Sequence, residues 1–167
     1  MIYVINYADD KFEYARKFNT KTAYKKGKVD KVIEYTPADI DNSFIEKNRT
    51  IFEYKRGAGL WLWKPYIILK TLEKIETGDY LFYCDSGAIF VNSVNYLIEC
   101  MEQNQDSIMI FELPLLQRQF TKKETFELMN FMEYNHNQVL AGYILLKKNK
   151  ESLEFIETWL EYMCDER

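Results

Sequence analysis

Asp85 is the side chain best placed for chemistry: it follows the unbroken run Tyr80-Leu81-Phe82-Tyr83-Cys84 and precedes Ser86 and Gly87. An apolar and aromatic run of that length reads as a central strand covered on both faces. Open α/β sheets bind ligands outside the carboxyl ends of such strands, so a carboxylate there is positioned to meet one. The plain alternative is a strand-end turn capped by Asp85. Several other chemistries lack their signatures. G-x-x-x-x-G-K-[ST] does not occur, Gly57 and Gly59 lack the third member of G-x-G-x-x-G, and G-x-S-x-G is absent. One histidine, His136, and three cysteines without a C-x-x-C pair argue against a protein-only zinc site.

The elements that must position Asp85 lie just upstream. Gly57 and Gly59 free the backbone for positive φ, and Pro65 suits the first turn of a helix. From there Ile68, Leu69, Leu72 and Ile75 form the stripe of a helix lying on a core, with Thr77 and Gly78 as its end. Before this stretch, Ile2–Ile5 reads as a first strand left by the loop 6–10, 12–24 as a helix, and 31–36 as a second strand closed by Pro37. Asp41-Asn42-Ser43 offers caps for another helix. After it, 88–91 suggests a brief extended piece. Asn92 or Ser93 caps a helix to Glu102, with Tyr96, Leu97, Cys100 and Met101 inward. Strand 108–111 is stopped by Leu113-Pro114. Thr121 and Glu124 fit a capping box. Strand 138–146 contains Gly142, a mark of a bulge or close backbone approach. Helix 150–163 has Leu153, Ile156, Trp159, Leu160 and Met163 on one face. Strands alternate with helices, which predicts an α/β sandwich with a largely parallel sheet.

The order W-x-W-K-P, amphipathic helix, G-D, hydrophobic strand, D-S-G resembles bacterial and viral glycosyltransferases of the GT-A fold, of the capsular- or surface-polysaccharide type. The resemblance is specific in Arg56–Gly87 and weaker in Phe120–Lys123, with its T-K dipeptide, and in Gln138–Tyr143. It implies a GT-A-like (Rossmann-like) α/β/α sandwich that moves a sugar from a nucleotide-sugar, UDP- or GDP-linked, to a glycan or lipid-linked acceptor. Such enzymes carry D-x-D, with carboxylates near the ribose and a divalent cation, manganese or magnesium, on the diphosphate. Here Gly87 stands at the second acidic position, a D-x-G variant.

By that resemblance Asp85 would meet ribose or metal, with Ser86 and Gly87 beside it. Arg56 and Lys64 would lie near the diphosphate or sugar, Trp61 and Trp63 would wall the pocket, and Tyr7 and Ala8 would contact the base. Gln138 and Tyr143 would face the acceptor; no catalytic base is assigned. Each has a structural alternative. Lys64 can be solvated ahead of its proline, Arg56 can pair with Glu53, the tryptophans and Tyr143 can be core, and Gln138 can be surface.

The bulk properties bound the rest. The 167 residues suit one domain, 1–167, and 47% hydrophobic with 29% charged residues describes a folded chain. A net charge of -4 argues against nucleic acid as partner, and the lysines of 11–31 read as a solvated helix face. No apolar run reaches about 18 residues, so no membrane span is expected. The first residues lack the basic leader of a signal peptide, and unpaired cysteines point to the cytoplasm. Two readings follow: a glycosyltransferase, or a non-catalytic GT-A-like nucleotide- or glycan-binding module. Gly87 favours the second. So does the end of the chain, because the resembling enzymes continue past the last helix with further groups for the diphosphate, elements this domain could lack.

Overall fold

A computed structural model describes residues 1–131 and 133–166. In chain order the strands are β1 (Ile2–Tyr7), β2 (Lys31–Tyr35), β3 (Tyr80–Cys84), β4 (Ile108–Leu116) and β5 (Asn137–Lys147). The helices are α1 (Glu13–Thr22), α2 (Asn42–Lys47), α3 (Arg49–Phe52), the kinked turn α4 (Gly57–Leu60), α5 (Trp63–Leu72), α6 (Asn95–Asn104), α7 (Lys123–Leu128) and α8 (Lys150–Met163). One five-stranded sheet has the order β2-β1-β3-β5-β4. β1 is parallel to β2 and β3, whereas β5 is antiparallel to both β3 and β4. Four strands therefore point one way and β5 alone runs against them, which keeps the sheet largely parallel.

The pleat sorts side chains to two faces. Ile5, Leu81 and Tyr83 pack with Ile67, Ile68 and Leu72 of α5 and Ile156 of α8. Val4, Phe82 and Cys84 pack on the other face with Ala23, Val94 and Met101. The result is an α/β/α sandwich whose central strand β3 is buried from Leu81 to Cys84. Each fully buried Leu or Ile contributes about 1.5–3 kcal/mol of transfer free energy, so the two clusters fix the sheet and its carboxyl edge.

Local differences from the sequence reading have local causes. Helix α5 begins at Trp63 and ends at Leu72, and Gly78, at φ +91°, belongs to the turn into β3. Residues 88–91 pair with no strand; Phe90 N donates to Thr22 Oγ1 (3.1 Å) and its ring packs edge-on to Phe82. In α6 Met101 is buried, but Tyr96 and Cys100 are exposed. β4 continues through Pro114 because it is an edge strand with register shifts on either side of Leu113, where a missing N–H costs no ladder bond. Lys122, not Thr121, is the residue before α7, and no side-chain cap forms there.

Candidate active site

β1 and β3 are neighbours in parallel, with Ile5 opposite Tyr83, so the loops leaving them open side by side. Tyr7, Ala8 and Asp9 from the first loop, and Asp85, Ser86 and Gly87 from the second, line a cleft of about 470 Å³. Gly57, Ala58, Trp61 and Trp63 close its other side. The rings of Tyr7 and Trp63 stack 3.8 Å apart at 17°, and the Trp63 indole N–H donates to Gly57 O (2.9 Å). Five successive residues, Gly57 to Trp61, have positive φ. Ala58, Leu60 and Trp61 carry side chains in this left-handed region, a conformation that costs roughly 1–3 kcal/mol each and concentrates at ligand sites. The turn is held by Gly59 N to Tyr54 O (2.9 Å) and Leu60 N to Arg56 O (2.9 Å).

Asp85 is fixed from several directions. Its backbone N–H donates to Gly142 O (2.9 Å) on β5, and its carbonyl accepts from Ala88 N (3.0 Å). Oδ1 accepts from Lys64 Nζ at 3.1 Å and from the Tyr83 hydroxyl. Lys64 also donates to Ala141 O at 2.8 Å. Burial and the Asp85 charge push the Tyr83 phenol well above its ordinary range, so it remains a protonated donor. Oδ2 lies only 3.1 Å from where a Cβ on Gly142 would stand. Gly142 thus marks the close approach of β5 to this carboxylate.

The loop after β1 is braced from α1. Arg16, buried, donates to Ala8 O (3.2 Å) and Tyr35 O (3.1 Å) and pairs with Glu34. Asn19 donates to Ala88 O (3.0 Å) and Cys84 Sγ (3.3 Å), and accepts from Asn6 (2.8 Å), tying β1 to the turn that carries Asp85. Sequence reasoning passed over Asn6, Arg16 and Asn19. The available signal was polar residues three apart, Arg16 and Asn19, on a helix that must also cover a sheet. Burial, with a contribution from the Asp9 charge, pushes the Tyr7 phenol up to about 12.

Of the donor-side residues predicted from the sequence, Tyr7, Ala8, Trp61, Trp63, Asp85, Ser86 and Gly87 meet in the cleft. Lys64 lies beneath its floor, 5% exposed. Arg56 sits outside the lining, over the Trp61 ring at 5.6 Å. The acceptor-side pair is placed elsewhere. Gln138 is half-buried on β5 and donates to Val139 O (3.1 Å). Tyr143 faces the other side of the sheet, against Phe82 and Phe111, and lines a separate apolar groove of about 440 Å³.

Among the described residues no group of three His, Cys, Asp or Glu side chains could hold a metal ion. Asp85 is the carboxylate expected to do so, and its Oδ1 is already on the Lys64 ammonium. This donor set does not fit a resident divalent cation. Among the described residues no helix is long and apolar enough to cross a membrane.

No family model matches the chain, and no curated protein matches it. Among solved structures it is similar to a galactosyltransferase, LgtC, in complex with donor and acceptor sugar analogues. The TM-score is 0.54 at 14% identity, over 96% of this chain and 64% of that one, so the chain spans less than two thirds of the galactosyltransferase's length. The likeness is one of fold: the α/β sheet described above matches the GT-A-like architecture.

Proposed function

We propose that this chain is a glycosyltransferase domain that takes a nucleotide-sugar, UDP- or GDP-linked, and passes its sugar to a glycan or lipid-linked acceptor in the cytoplasm. The observation that carries this reading is Asp85, held at the carboxyl end of β3 in a cleft that the stacked Tyr7–Trp63 pair and the exposed Trp61 ring also line. The exposed face of Trp61 suits a nucleobase, with the buried Tyr7–Trp63 stack as the support behind it, and a carboxylate oxygen accepts from ribose or hexose hydroxyls. A Cβ on Gly87 would meet nothing within 4 Å, so the space beside Asp85 is open to a ligand. Where the resembling enzymes hold a second carboxylate, this chain offers room instead. A fixed cleft of this kind lowers the cost of orienting donor and acceptor, one part of what such a site must supply.

The second reading, a non-catalytic nucleotide- or glycan-binding module, is favoured by Gly87 and by the neutralisation of Asp85 by Lys64. A thermal-shift and calorimetric panel of nucleotides and nucleotide-sugars, followed by a product assay on glycan and lipid-linked acceptors, separates the two. Binding with transfer supports the enzyme, nucleotide binding without transfer supports the module, and no binding to any of them defeats the enzyme and leaves only the glycan-binding form of the module.

A further inference from the structure

The cation next to Asp85 is part of the chain. Lys64 issues from the first turn of α5, its side chain is 6% exposed, and its ammonium lies 3.1 Å from Oδ1. Ala141 O anchors the same ammonium at 2.8 Å. The rings of Tyr83 and Trp63 lie 4.8 and 5.7 Å from it, so the charge is held between aromatic faces as well. Lys64 is therefore fixed where it stands. The Tyr83 hydroxyl completes Oδ1, and since the Asp85 side chain is half exposed, Oδ2 is the oxygen left to accept from a ligand.

We propose that Lys64 is a built-in cation standing in for a divalent metal at Asp85, so that the cleft binds the hydroxyl-bearing part of a nucleotide-sugar through Asp85 Oδ2 without a metal. This rests on the cleft being a nucleotide-sugar site, as argued above. A dication at Oδ2 would have to share a carboxylate whose charge Lys64 already offsets, and would be repelled by the ammonium behind it. A hydroxyl donor meets neither obstacle. The pairing also accounts for Gly87: with the cation supplied from below, a second carboxylate at the cleft has no metal to hold.

Manganese alone, titrated into the intact chain by calorimetry and electron paramagnetic resonance, tests the inference without any nucleotide. Wild type should show no site tighter than millimolar. Lys64→Met should bind manganese at least tenfold more tightly, and Lys64→Met/Asp85→Asn should lose that gain. A micromolar site in wild type that disappears in Asp85→Asn overturns the proposal, as does a folded Lys64→Met with no gain. If Lys64→Met does not fold, wild type and Asp85→Asn decide alone. In a second arm, UDP-galactose and GDP-mannose are titrated with EDTA or with manganese. Affinities within twofold of each other support the proposal, and a tenfold tightening by manganese overturns it. If neither sugar nucleotide binds in either buffer, the functional reading is what fails, and the manganese titration still decides the role of Lys64.

Discussion

The Lys64–Asp85 pair can be measured by a double-mutant cycle of Asp85→Asn, Lys64→Met and both together. At 3.1 Å, opposite unit charges attract by about 5 kcal/mol at an effective dielectric of about 20. Asp85 is half in water while Lys64 is almost fully buried, so solvent screens one end and about 2 kcal/mol should remain as coupling. Asp85→Asn preserves shape and the acceptor for Lys64 and Tyr83, yet strands a buried ammonium without its counter-charge. It should cost ~2 kcal/mol, a fall in Tm of about 4–8 °C for a chain of this size. Lys64→Met also removes the donor to Ala141 O and should cost about 1–3 kcal/mol. The double variant should then be about 2 kcal/mol more stable than the sum of the single losses predicts. Urea denaturation followed by circular dichroism gives all four corners, and because Lys64 is buried the coupling should persist in roughly 0.5 M salt. A coupling below about 0.5 kcal/mol would refute the view that the pair is electrostatically important.

Gly57→Ala should destabilise by about 1–3 kcal/mol and shift Trp61 emission, because the residue sits at φ +62° and a Cβ there runs into the Trp61 ring; wild-type stability would show that the turn relaxes freely. Gly142→Ala puts a methyl 3.1 Å from Asp85 Oδ2. It should weaken nucleotide-sugar binding by roughly fivefold, ~1 kcal/mol, while costing little stability, and equal loss of both would point to β5 rather than the carboxylate. At high pH the phenols of Tyr7 and Tyr83 matter. Their folded pKa values are raised, Tyr7 from 10.0 to about 12 and Tyr83 well above 10.0. The unfolded chain therefore loses these protons first, and the stability they contribute, complete below pH 10, falls as pH rises from 10 through 12. Absorbance titration of the tyrosines should find Tyr7 and Tyr83 among the late-ionising ones, and complete ionisation by about pH 10.5 without unfolding would contradict their burial.

Much of the frame was legible because it is written in periods. Tyr80–Cys84 and Lys150–Met163 have the bounds expected, since an unbroken apolar run and a long amphipathic stripe each allow few alternatives. Asp85 stood out for the same reason, as the first residue past a buried strand. What local pattern could not carry was contact between distant segments. Lys64 ahead of Pro65 reads equally as a lysine near the diphosphate or as a solvated one, and the partners that hold it lie 21 and 77 residues further on. Nothing in 138–146 gives the direction of β5, which is set by pairing with β3 and β4 on either side. Tyr96 and Cys100 fit a helical stripe, but α6 buries a narrower face centred on Met101. Pro114 reads as a strand stop and is tolerated because β4 is at the edge.

The insertion of β5 between β3 and β4 bears on the order in which the protein acquires its site during synthesis. A nascent chain that has emerged as far as residue 136 already holds β1, β2 and β3, the Tyr7–Trp63 stack and Asp85. It still lacks Ala141 O for Lys64 and Gly142 O for the Asp85 amide. β4, made earlier, has no neighbour until β5 arrives to pair with it on one side and with β3 on the other. The cleft wall is thus assembled from contacts available early, whereas its carboxylate is locked by a strand made after all the others. Ribosome-stalled chains should accordingly gain protease protection of residues 80–90 in one step, once β5 has cleared the exit tunnel.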